Sequence, residues 1–430
     1  MKKILVTGGR PLYGNINVSG MKNAALPIIF ACILTKDVCT LENLPCVSDV
    51  ELSLRILEDM GAKITRRSKT TVDIDTTRFH GGQSSYDLVS RLRGSTYLLG
   101  AELGRFGEAR VGFSGGCDFG NRPIDQHQKG FEALGATVTI ENGCNVVTAG
   151  PDGLTGASVY LDIASVGATI NVMLAAVLAK GKTTIDNAAR EPHIVDLANF
   201  LNMCGARITG AGTSVIKIHG VDFLHGCNYT IIPDMIEAGT YMVAAAAAGG
   251  RVNVHNVIPK HMETVTAKLL EMGANIEEHD DYITVSGNGT LKKANIKTYF
   301  YPGFPTDMHP QFSALLTIAS GTSLVTEGVW ENRFRYVDEL AKMNANITVD
   351  GRTATIVGVP KLQGAPVRAV DLRAGAALII AGLVAEGTTE ITKVETIERG
   401  YDDIVSKLSG LGADIRMVEV PDEEILRDAN

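Results

Sequence analysis

The stretch LLEMGANI, residues 269–276, decides the fold, because it recurs in altered form along the whole chain. It joins an apolar helix end to Gly-Ala and then to the start of a strand. The gaps between successive copies are 74, 70, 68, 71 and 68 residues. A nearly constant period indicates one supersecondary unit used six times, and the copies are centred on Gly61, Gly135, Gly205, Gly273, Asn344 and Gly412.

Glycine is expected at this position because a helix that ends in the left-handed conformation needs a residue without a Cβ penalty. Asn is the next most tolerated residue, and the fifth copy has Asn344. Apolar residues at helical spacing precede each copy, and a run rich in β-formers follows it. A period longer than about 50 residues exceeds the common solenoid repeats, so each unit is predicted to mix helix and strand.

The composition is that of an ordinary globular chain. Of the 430 residues, 45% are hydrophobic and 20% are charged. A length prior gives about two or three domains. Six units divide naturally into three plus three, with a boundary near Pro233, and two domains of about 200 residues can each bury a full core.

The charge balance excludes some partners. Forty basic and 48 acidic residues give a net charge of −8, and no run of Lys and Arg occurs. Nucleic acid and anionic membranes are therefore not expected as partners. The start MKKILVTGG has too few consecutive apolar residues for a signal peptide. No stretch reaches the ~18 apolar residues that are needed to span a bilayer. We expect a cytoplasmic protein.

The seven cysteines all lie within the first 227 residues and include no C-x-x-C pair. An odd number without such spacing favours reduced thiols over a disulfide framework or a zinc site. The nine histidines show no ligand spacing such as H-E-x-x-H. The start KILVTGGRPLYG lacks G-x-G-x-x-G. We therefore expect neither a structural metal nor a nicotinamide cofactor.

The clearest interruption of the repeats is SGGCDFGNRPIDQH, residues 114–127. Cys117 lies in a glycine-rich loop, Arg122 follows, and Pro123 suits the first turn of a helix. A nearby cation and a helix N-terminus would stabilise a Cys117 thiolate, whereas the charge of Asp118 disfavours it. The alternative is a small hydrophobic cysteine, but the loop and the arginine favour a reactive thiol.

Three further segments place polar residues at predicted helix starts: Lys22 and Asn23, then Ser165, Val166 and Gly167, then Arg399 and Gly400. Helix N-termini present free N–H groups and a positive dipole end, which favour phosphates and carboxylates. Each basic residue alone is more often a solvated surface charge. Several together indicate an anionic ligand.

One carboxylate stands out in YPGFPTDMHPQ, residues 301–311. Asp307 lies in a Pro/Gly loop, where it could act as a general base. By propensity alone, a helix-capping role is the more common one for such an Asp. His309 is either a second polar ligand contact or a plain loop residue, and the sequence does not decide between them.

The chain resembles the UDP-N-acetylglucosamine 1-carboxyvinyltransferase family of enolpyruvyl transferases. The resemblance runs from about Gly14 to Arg416, through nine motifs in the family's order. They are VSGMKNAALP, SGGCDFGNRPIDQH, SVGAT, NAAREP, IEAGT, PGFPTDM, ENRF, DLRA and RGY.

The resemblance implies an α/β fold of two inside-out barrels, each with three copies of a β/α unit, helices inside and sheets outside. It implies that residues 1–21 join residues 233–430 in one domain and that residues 22–232 form an inserted domain carrying the Cys117 loop. The active site would be the cleft between the two domains. The implied role is the first committed step of peptidoglycan synthesis in the cytoplasm. Such an enzyme would contribute to cell-wall biogenesis, cell shape and cell division, and it would be a target of fosfomycin.

The resemblance also assigns roles to residues. The family transfers the enolpyruvyl group of phosphoenolpyruvate to the 3′-hydroxyl of the UDP-sugar and releases phosphate. Lys22, Arg122 and Arg399 would hold phosphoenolpyruvate, Cys117 would protonate it or add to it, and Asp307 would take the hydroxyl proton. The residues implied around the UDP-sugar and the cleft are Asn23, Arg93, Pro123, Ile124, Asp125, Ser165, Val166, Gly167, Val329, Arg333 and Arg373.

Five positions depart from the family's usual residues: Met21, Asp118, Ile170, Met235 and His309. These departures leave two alternatives to the cell-wall enzyme or a second copy of it. One is an enolpyruvyl transferase that acts on a different nucleotide acceptor in a specialised pathway. The other is a catalytically silent paralogue that binds a UDP-sugar, although such a protein should have lost Lys22, Cys117, Asp307 or Arg399, and none is lost.

Overall fold

The structure is a computed structural model and describes residues 2–82, 85–113, 124–287 and 290–419. Its strands, in chain order, are β1 (Lys2–Thr7), β2 (Leu12–Asn17), β3 (Val38–Glu42), β4 (Lys63–Arg66), β5 (Val72–Asp75), β6 (Glu108–Gly112), β7 (Ala136–Glu141), β8 (Cys144–Ala149), β9 (Ser158–Tyr160), β10 (Lys182–Asp186), β11 (Arg207–Thr209), β12 (Val215–His219), β13 (Asn228–Thr230), β14 (Gly250–His255), β15 (Asn275–Glu278), β16 (Tyr282–Gly287), β17 (Ile296–Lys297), β18 (Thr322–Thr326), β19 (Asn346–Asp350), β20 (Thr353–Val357), β21 (Pro366–Arg368), β22 (Thr388–Thr392) and β23 (Asp414–Glu419).

The helices, in chain order, are α1 (Lys22–Ala31), α2 (Ser48–Asp59), α3 (Tyr86–Arg91), α4 (Tyr97–Phe106), α5 (Asp125–Ala133), α6 (Val166–Ala176), α7 (Pro192–Met203), α8 (Met235–Ala248), α9 (Glu263–Glu271), α10 (His309–Leu316), α11 (Val337–Lys342), α12 (Leu372–Val384), α13 (Val394–Ile397) and α14 (Ile404–Gly410). Short 3₁₀ turns cover Cys32–Thr35, Arg93–Thr96, Pro259–Met262 and Thr306–Met308.

The repeated Gly-Ala phrase has the predicted conformation in all six copies. The residue after each helix has a positive φ, between 66° at Asn344 and 101° at Gly205. In the fourth copy the Gly273 N–H donates to Leu270 O and the Ala274 N–H donates to Leu269 O, both at 3.0 Å. This bond pair is the Schellman motif that satisfies the last helical carbonyls. The prediction of a left-handed helix cap is confirmed.

Two compact units make up the chain. One contains Met1–Ser19 and Pro233–Asn430, and the other contains Gly20–Ile232. In the described residues of the first unit, the strands form three sheets with the orders β21-β22-β1-β23, β15-β16-β14-β2 and β17-β18-β20-β19. Those of the second unit form three more, with the orders β11-β12-β10-β9, β13-β3-β5-β4 and β6-β8-β7.

The sheets repeat one pattern of strand directions. In each four-stranded sheet, one outer pair is parallel and the other two pairs are antiparallel; β9 and β10 form such a parallel pair, as do β13 and β3. In the sheet of β6, β7 and β8 both described pairs are antiparallel. The sixfold repetition of a helix with a small sheet is the mixed α/β unit that the sequence predicts.

The core of each unit consists of mainly apolar helices that are buried on all sides. All but one residue of α1 and of α12, and every residue of α10, are buried. A helix that is hydrophobic all round belongs in a protein interior rather than at its surface. The strands alternate instead, as in β10, where Thr183 and Ile185 are buried between more exposed neighbours. None of the described helices has the length and hydropathy needed to cross a bilayer.

Candidate active site

Two buried arginines hold the Asp307 carboxylate in the unit formed by Met1–Ser19 and Pro233–Asn430. Arg333 Nη2 lies 3.2 Å from Asp307 Oδ1, and Arg373 Nε and Nη2 lie 3.2 and 3.1 Å from Oδ2. The Asp307 side chain is 29% exposed, whereas those of Arg333 and Arg373 are 2% and 4% exposed. The carboxylate therefore faces the surface with its cationic partners behind it.

Asp307 does not occupy the N-cap of the following helix. Met308 has that position for α10, and no side-chain cap bond forms there. The carboxylate lies one residue earlier, in the 3₁₀ turn Thr306–Met308, and it binds the two guanidinium groups. The capping alternative is therefore wrong for Asp307.

Arg373 is positioned by the start of α12 and by a buried tyrosine. Asp371 caps the helix and accepts from the backbone N–H groups of Arg373 and Ala374, each at 2.9 Å. The Arg373 guanidinium lies over the Tyr401 ring, 5.4 Å from its centroid. Burial lowers the pKa of Arg373, but the nearby Asp307 and Tyr401 outweigh it and raise the pKa. Arg373 is thus a permanent cation beside the carboxylate.

Glu327 fixes the two turns that carry Asp307 and Val329, and the sequence reasoning missed it. It is 1% exposed. Its Oε2 accepts from the Thr306 hydroxyl at 3.0 Å, next to Asp307. Its Oε1 accepts from the backbone N–H groups of Val329 at 2.8 Å and Trp330 at 3.0 Å. A carboxylate held by several donors fixes backbone position, and the only sequence signal for it is its place before the ENRF motif.

His309 is a buried structural residue, so neither of the two alternatives raised for it from the sequence holds. It begins α10 and is 0% exposed. Its Nε2 lies 3.2 Å from the Tyr336 hydroxyl, and its Nδ1 lies 3.2 Å from Glu327 Oε2. Burial lowers the pKa of His309, which favours the neutral ring at pH 7.

Arg399 lies in a turn rather than directly at a helix start. The expectation of a helix beginning just after Gly400 is wrong, because α13 ends at Ile397 and α14 begins at Ile404. Asp403 caps α14 and accepts from the Ser406 N–H at 3.2 Å. A Cβ placed on Gly400 would lie 2.7 Å from Leu372 Cδ2. The turn that carries Arg399 therefore packs against the start of α12, beside Arg373.

In the Gly20–Ile232 unit, Lys22 is a buried cation at the start of α1. Helix α1 begins at Lys22, as predicted, with Met21 at its N-cap. Lys22 Nζ donates to Asp49 Oδ2 at 3.0 Å, and the two side chains are 10% and 7% exposed. Asn23 follows in the first turn and is half-buried. Asp49, at the start of α2, was not among the predicted residues, and its distance of 27 positions in the sequence explains why.

His127 joins three predicted binding segments in this unit. A Cβ placed on Gly167 would lie 2.9 Å from the His127 ring, and Asn171 Nδ2 lies 2.8 Å from His127 Nδ1. Burial and the charge of Arg93 together lower the pKa of His127 to about 4, against the opposing effect of Asp125. The structure thus brings Arg93, Asp125 and Gly167 around one neutral histidine.

Helix α6 starts where the sequence predicts. Ser165 is its N-cap and accepts from the Ala168 N–H at 3.3 Å. Val166 and Gly167 form the first turn and are half-buried. The first N–H groups of an 11-residue helix carry a positive partial charge, which suits a phosphate oxygen.

Part of the predicted glycine-rich loop lies beyond the part of the chain that the structure describes. Cys117, Asp118, Arg122 and Pro123 lie outside the described residues. Ile124 is the N-cap of α5, and Asp125 is its exposed first residue. Among the described residues, no group of three or more His, Cys, Asp or Glu side chains is arranged to hold a metal ion.

Three of the five unusual residues are apolar and buried near the starts of core helices. Met21 precedes α1 and is 2% exposed, Ile170 lies in the second turn of α6 and is 0% exposed, and Met235 begins α8 and is 7% exposed. Apolar side chains suit these buried positions, since none of them leaves a charge to be compensated.

The chain is similar to enolpyruvyl transferases over nearly its whole length. The model of the family EPSP synthase (3-phosphoshikimate 1-carboxyvinyltransferase) matches residues 6–408. A UDP-N-acetylglucosamine 1-carboxyvinyltransferase from Clostridium botulinum is 56% identical over 96% of this chain and 99% of its own length. UDP-N-acetylglucosamine 1-carboxyvinyltransferase 2 from Bacillus cereus is 54% identical over 99% of both chains.

Solved structures agree with this fold. The enolpyruvyl transferase NikO from Streptomyces tendae superposes with a TM-score of 0.87 at 26% identity, covering 98% of this chain and 99% of that one. EPSP synthase from Acinetobacter baumannii gives a TM-score of 0.75 at 21% identity, covering 97% of this chain and 100% of that one. The expected α/β fold of repeated units is confirmed.

Proposed function

This chain belongs to the enolpyruvyl transferase family, among the UDP-N-acetylglucosamine 1-carboxyvinyltransferases, and from that premise we propose its reaction. It transfers the enolpyruvyl group of phosphoenolpyruvate to the 3′-hydroxyl of UDP-N-acetylglucosamine and releases phosphate. Both substrates are strongly anionic, and the Lys22 and Arg93 segments and the start of α6 supply cations and free N–H groups. No cofactor enters the reaction.

The observation that carries the proposal is the Asp307 carboxylate, partly exposed and held by two buried guanidinium groups. Two positive partners favour the ionised carboxylate, which is the form that can accept a proton. Asp307 takes the proton of the acceptor hydroxyl as the hydroxyl oxygen adds to C2 of phosphoenolpyruvate. Loss of phosphate and of a proton from the adduct then restores the double bond.

The remaining roles are those that the resemblance to the family implies. Lys22, Arg122 and Arg399 hold the phosphate and carboxylate of phosphoenolpyruvate, and Cys117 protonates the methylene carbon or adds to the substrate. Arg333 and Arg373 hold the catalytic carboxylate. The groups proposed to contact the UDP-sugar are Asn23, Arg93, Pro123, Ile124, Asp125, Ser165, Val166, Gly167 and Val329.

The biological role that follows is the first committed step of peptidoglycan synthesis in the cytoplasm. Through the cell wall, the enzyme would then serve cell shape and cell division. Fosfomycin should alkylate Cys117, and a Cys117→Ser protein should escape modification. Alkylation of another cysteine instead would remove Cys117 from the mechanism.

The direct test measures phosphate release from phosphoenolpyruvate with and without UDP-N-acetylglucosamine, followed by mass spectrometry of the nucleotide. We expect release only with the UDP-sugar, together with the mass gain of one enolpyruvyl group. A folded protein that releases no phosphate with this acceptor would contradict the proposal. Parallel reactions with other nucleotides would then identify a different acceptor, and nucleotide binding without any turnover would identify a silent paralogue.

A further inference from the structure

Four cysteines lie together in the Gly20–Ile232 unit, away from the residues assigned to the reaction. Cys204 Sγ and Cys227 Sγ are 3.4 Å apart. Cys39 lies on β3, beside the strand that Cys227 precedes, and the Thr40 N–H donates to Cys227 O at 2.9 Å. Cys32, at the end of α1, belongs to the same hydrogen-bonded group of thiols as Cys39.

The cluster is a set of thiols and not a metal site. All four cysteines are free, and none belongs to a metal-binding arrangement among the described residues. Cys204 is buried, whereas Cys227 is half-buried. An oxidant from solvent therefore reaches Cys227 before the other three.

We propose that Cys204 and Cys227 are a modification site, at which a peroxide forms a reversible disulfide. The sulfur of Cys227 attacks the peroxide, the O–O bond breaks, and Cys227 becomes a sulfenic acid with release of water. The sulfur of Cys204 then attacks Cys227, its proton leaves with the sulfenic oxygen, and a second water is released. Overall, two thiols are oxidised and one hydrogen peroxide is reduced to two waters.

The backbone already holds the two cysteines in place. The His225 N–H donates to Cys204 O at 2.9 Å, which joins the end of α7 to the segment before β13. A disulfide needs sulfurs about 2.05 Å apart, so the contact closes by a small side-chain movement. The bond would close the 22 residues between Cys204 and Cys227, and a closed loop of that length constrains the unfolded chain.

The disulfide would also strengthen the packing of α7 against the chain around β13, which continues to a contact beside Lys22. Nearer the N-terminal end of α7, Asp196 Oδ1 accepts from the Tyr229 hydroxyl at 2.6 Å. Past β13, Ile232 O accepts from the Met21 N–H at 2.7 Å, directly before Lys22. The disulfide would thus link the end of α7 to the segment before β13, while the segment after β13 holds the start of α1.

The experiment treats the full chain with a small excess of hydrogen peroxide, blocks free thiols with N-ethylmaleimide and digests it with trypsin. Cleavage after Lys and Arg places Cys204 alone in residues 191–207 and Cys227 alone in residues 218–251. We expect these two peptides to be linked, with the mass loss of two hydrogens, and to separate after dithiothreitol. The oxidised protein should also melt at a higher temperature than the reduced protein.

Matched variants make the pairing specific. Cys204→Ser and Cys227→Ser should each abolish the linked peptide and the rise in melting temperature. Cys144→Ser, in β8, should retain both. Thiols that remain unmodified after peroxide, a disulfide between other cysteines, or stoichiometric zinc in the purified protein would each overturn the assignment. None of these measurements depends on enzymatic turnover, so failure here and failure of the proposed reaction are distinguishable.

Discussion

The Arg373 guanidinium donates from Nε and Nη2 to the same oxygen of Asp307, at 3.2 and 3.1 Å. Arg333 holds the other oxygen from a different segment of the chain, at 3.2 Å. Both carboxylate oxygens are therefore fixed, while the group keeps a face toward solvent. A carboxylate fixed in this way loses little orientational freedom when a ligand arrives.

Asp307→Asn should bind the UDP-sugar but turn it over slowly. The amide retains the shape of the carboxylate and loses its capacity to accept a proton. We expect kcat to fall by about 10²–10⁴-fold, the range of general acid–base catalysis, with nucleotide affinity changed far less. Steady-state kinetics and calorimetric titration with UDP-N-acetylglucosamine measure the two quantities. Asp350→Asn, on the exposed end of β19, is the matched control. Full turnover in the Asp307 variant would exclude a role as the base.

Glu327→Gln should loosen the Thr306 and Val329 turns together. The neutral amide has one acceptor oxygen, so it cannot replace the two charged oxygens that accept from Thr306 and from the two backbone N–H groups. Hydrogen bonds to charged groups are worth about 1.5–3 kcal/mol. We expect a lower midpoint in chemical denaturation and a raised KM for the UDP-sugar. Glu331→Gln, at a nearby exposed ion pair with Arg352, should change neither by much. A Glu327 variant with wild-type stability and kinetics would show that the turns hold without it.

Gly167→Ala should weaken binding of the UDP-sugar at the start of α6. The added Cβ would lie 2.9 Å from the His127 ring, which its bond to Asn171 holds in place. Displacement of the ring also disturbs the Arg93 and Asp125 neighbourhood. We expect KM for UDP-N-acetylglucosamine to rise about tenfold, or about 1.4 kcal/mol, while KM for phosphoenolpyruvate changes little. Equal rises in both constants would point to a general disturbance of the unit. Gly410→Ala, where a Cβ meets nothing within 4 Å, is the control.

Glu102 should make the protein less stable as the pH rises. It lies on α4, 1% exposed, and burial raises its pKa from 4.5 to about 8. The folded state therefore keeps this proton at pH values where the unfolded chain has lost it. The stabilisation is complete below about pH 4.5 and is lost as the pH rises to about 8.

Glu102→Gln removes this titration and keeps the acceptor that the Gly82 N–H uses at 3.0 Å. The variant and the wild type should melt alike near pH 4, whereas near pH 9 the variant should be more stable by a few kcal/mol at most. Thermal unfolding across this pH range measures the difference. Glu132→Gln, at an exposed position of α5, provides the control variant. Parallel curves for the wild type and the Glu102 variant would refute the raised pKa.

Gly273→Ala should destabilise the chain through its backbone alone. Gly273 has a φ of +97°, and a Cβ there would meet no atom within 4 Å. A left-handed conformation costs a residue with a Cβ about 1–2 kcal/mol. Gly410→Ala has equally open space within a helix and should be neutral or stabilising. Because neither added Cβ meets another atom, the difference between the two denaturation midpoints reports the conformational cost. Equal midpoints would contradict the capping role.

The parts of the site that could be predicted were those with a local signal. A helix start can be recognised from the residues beside it, which is why Lys22 and Ser165 were placed correctly. The partners that give these residues their properties had no such signal. Asp49 is 27 residues from Lys22, and Arg373 is 66 residues from Asp307.

Where a local rule suggested an alternative that the structure excludes, distant packing controls the position. Asp307 has the propensity of a helix cap, yet two arginines from other segments hold it. His309 has the polarity of a loop residue, yet it is enclosed between Glu327 and Tyr336. Arg399 precedes a helical pattern, but a turn against Leu372 delays the helix to Ile404.

The sequence alone determined the sixfold repeat and the family, because a left-handed helix cap needs Gly or Asn and ordered motifs leave a record in the chain. The tertiary structure alone decided which charges meet. Asp307 with its two arginines, Lys22 with Asp49 and the contact of Cys204 with Cys227 all join separate elements. Such pairs follow from how buried helices and sheets pack, since burial allows a charge or a thiol only the partners that packing brings to it.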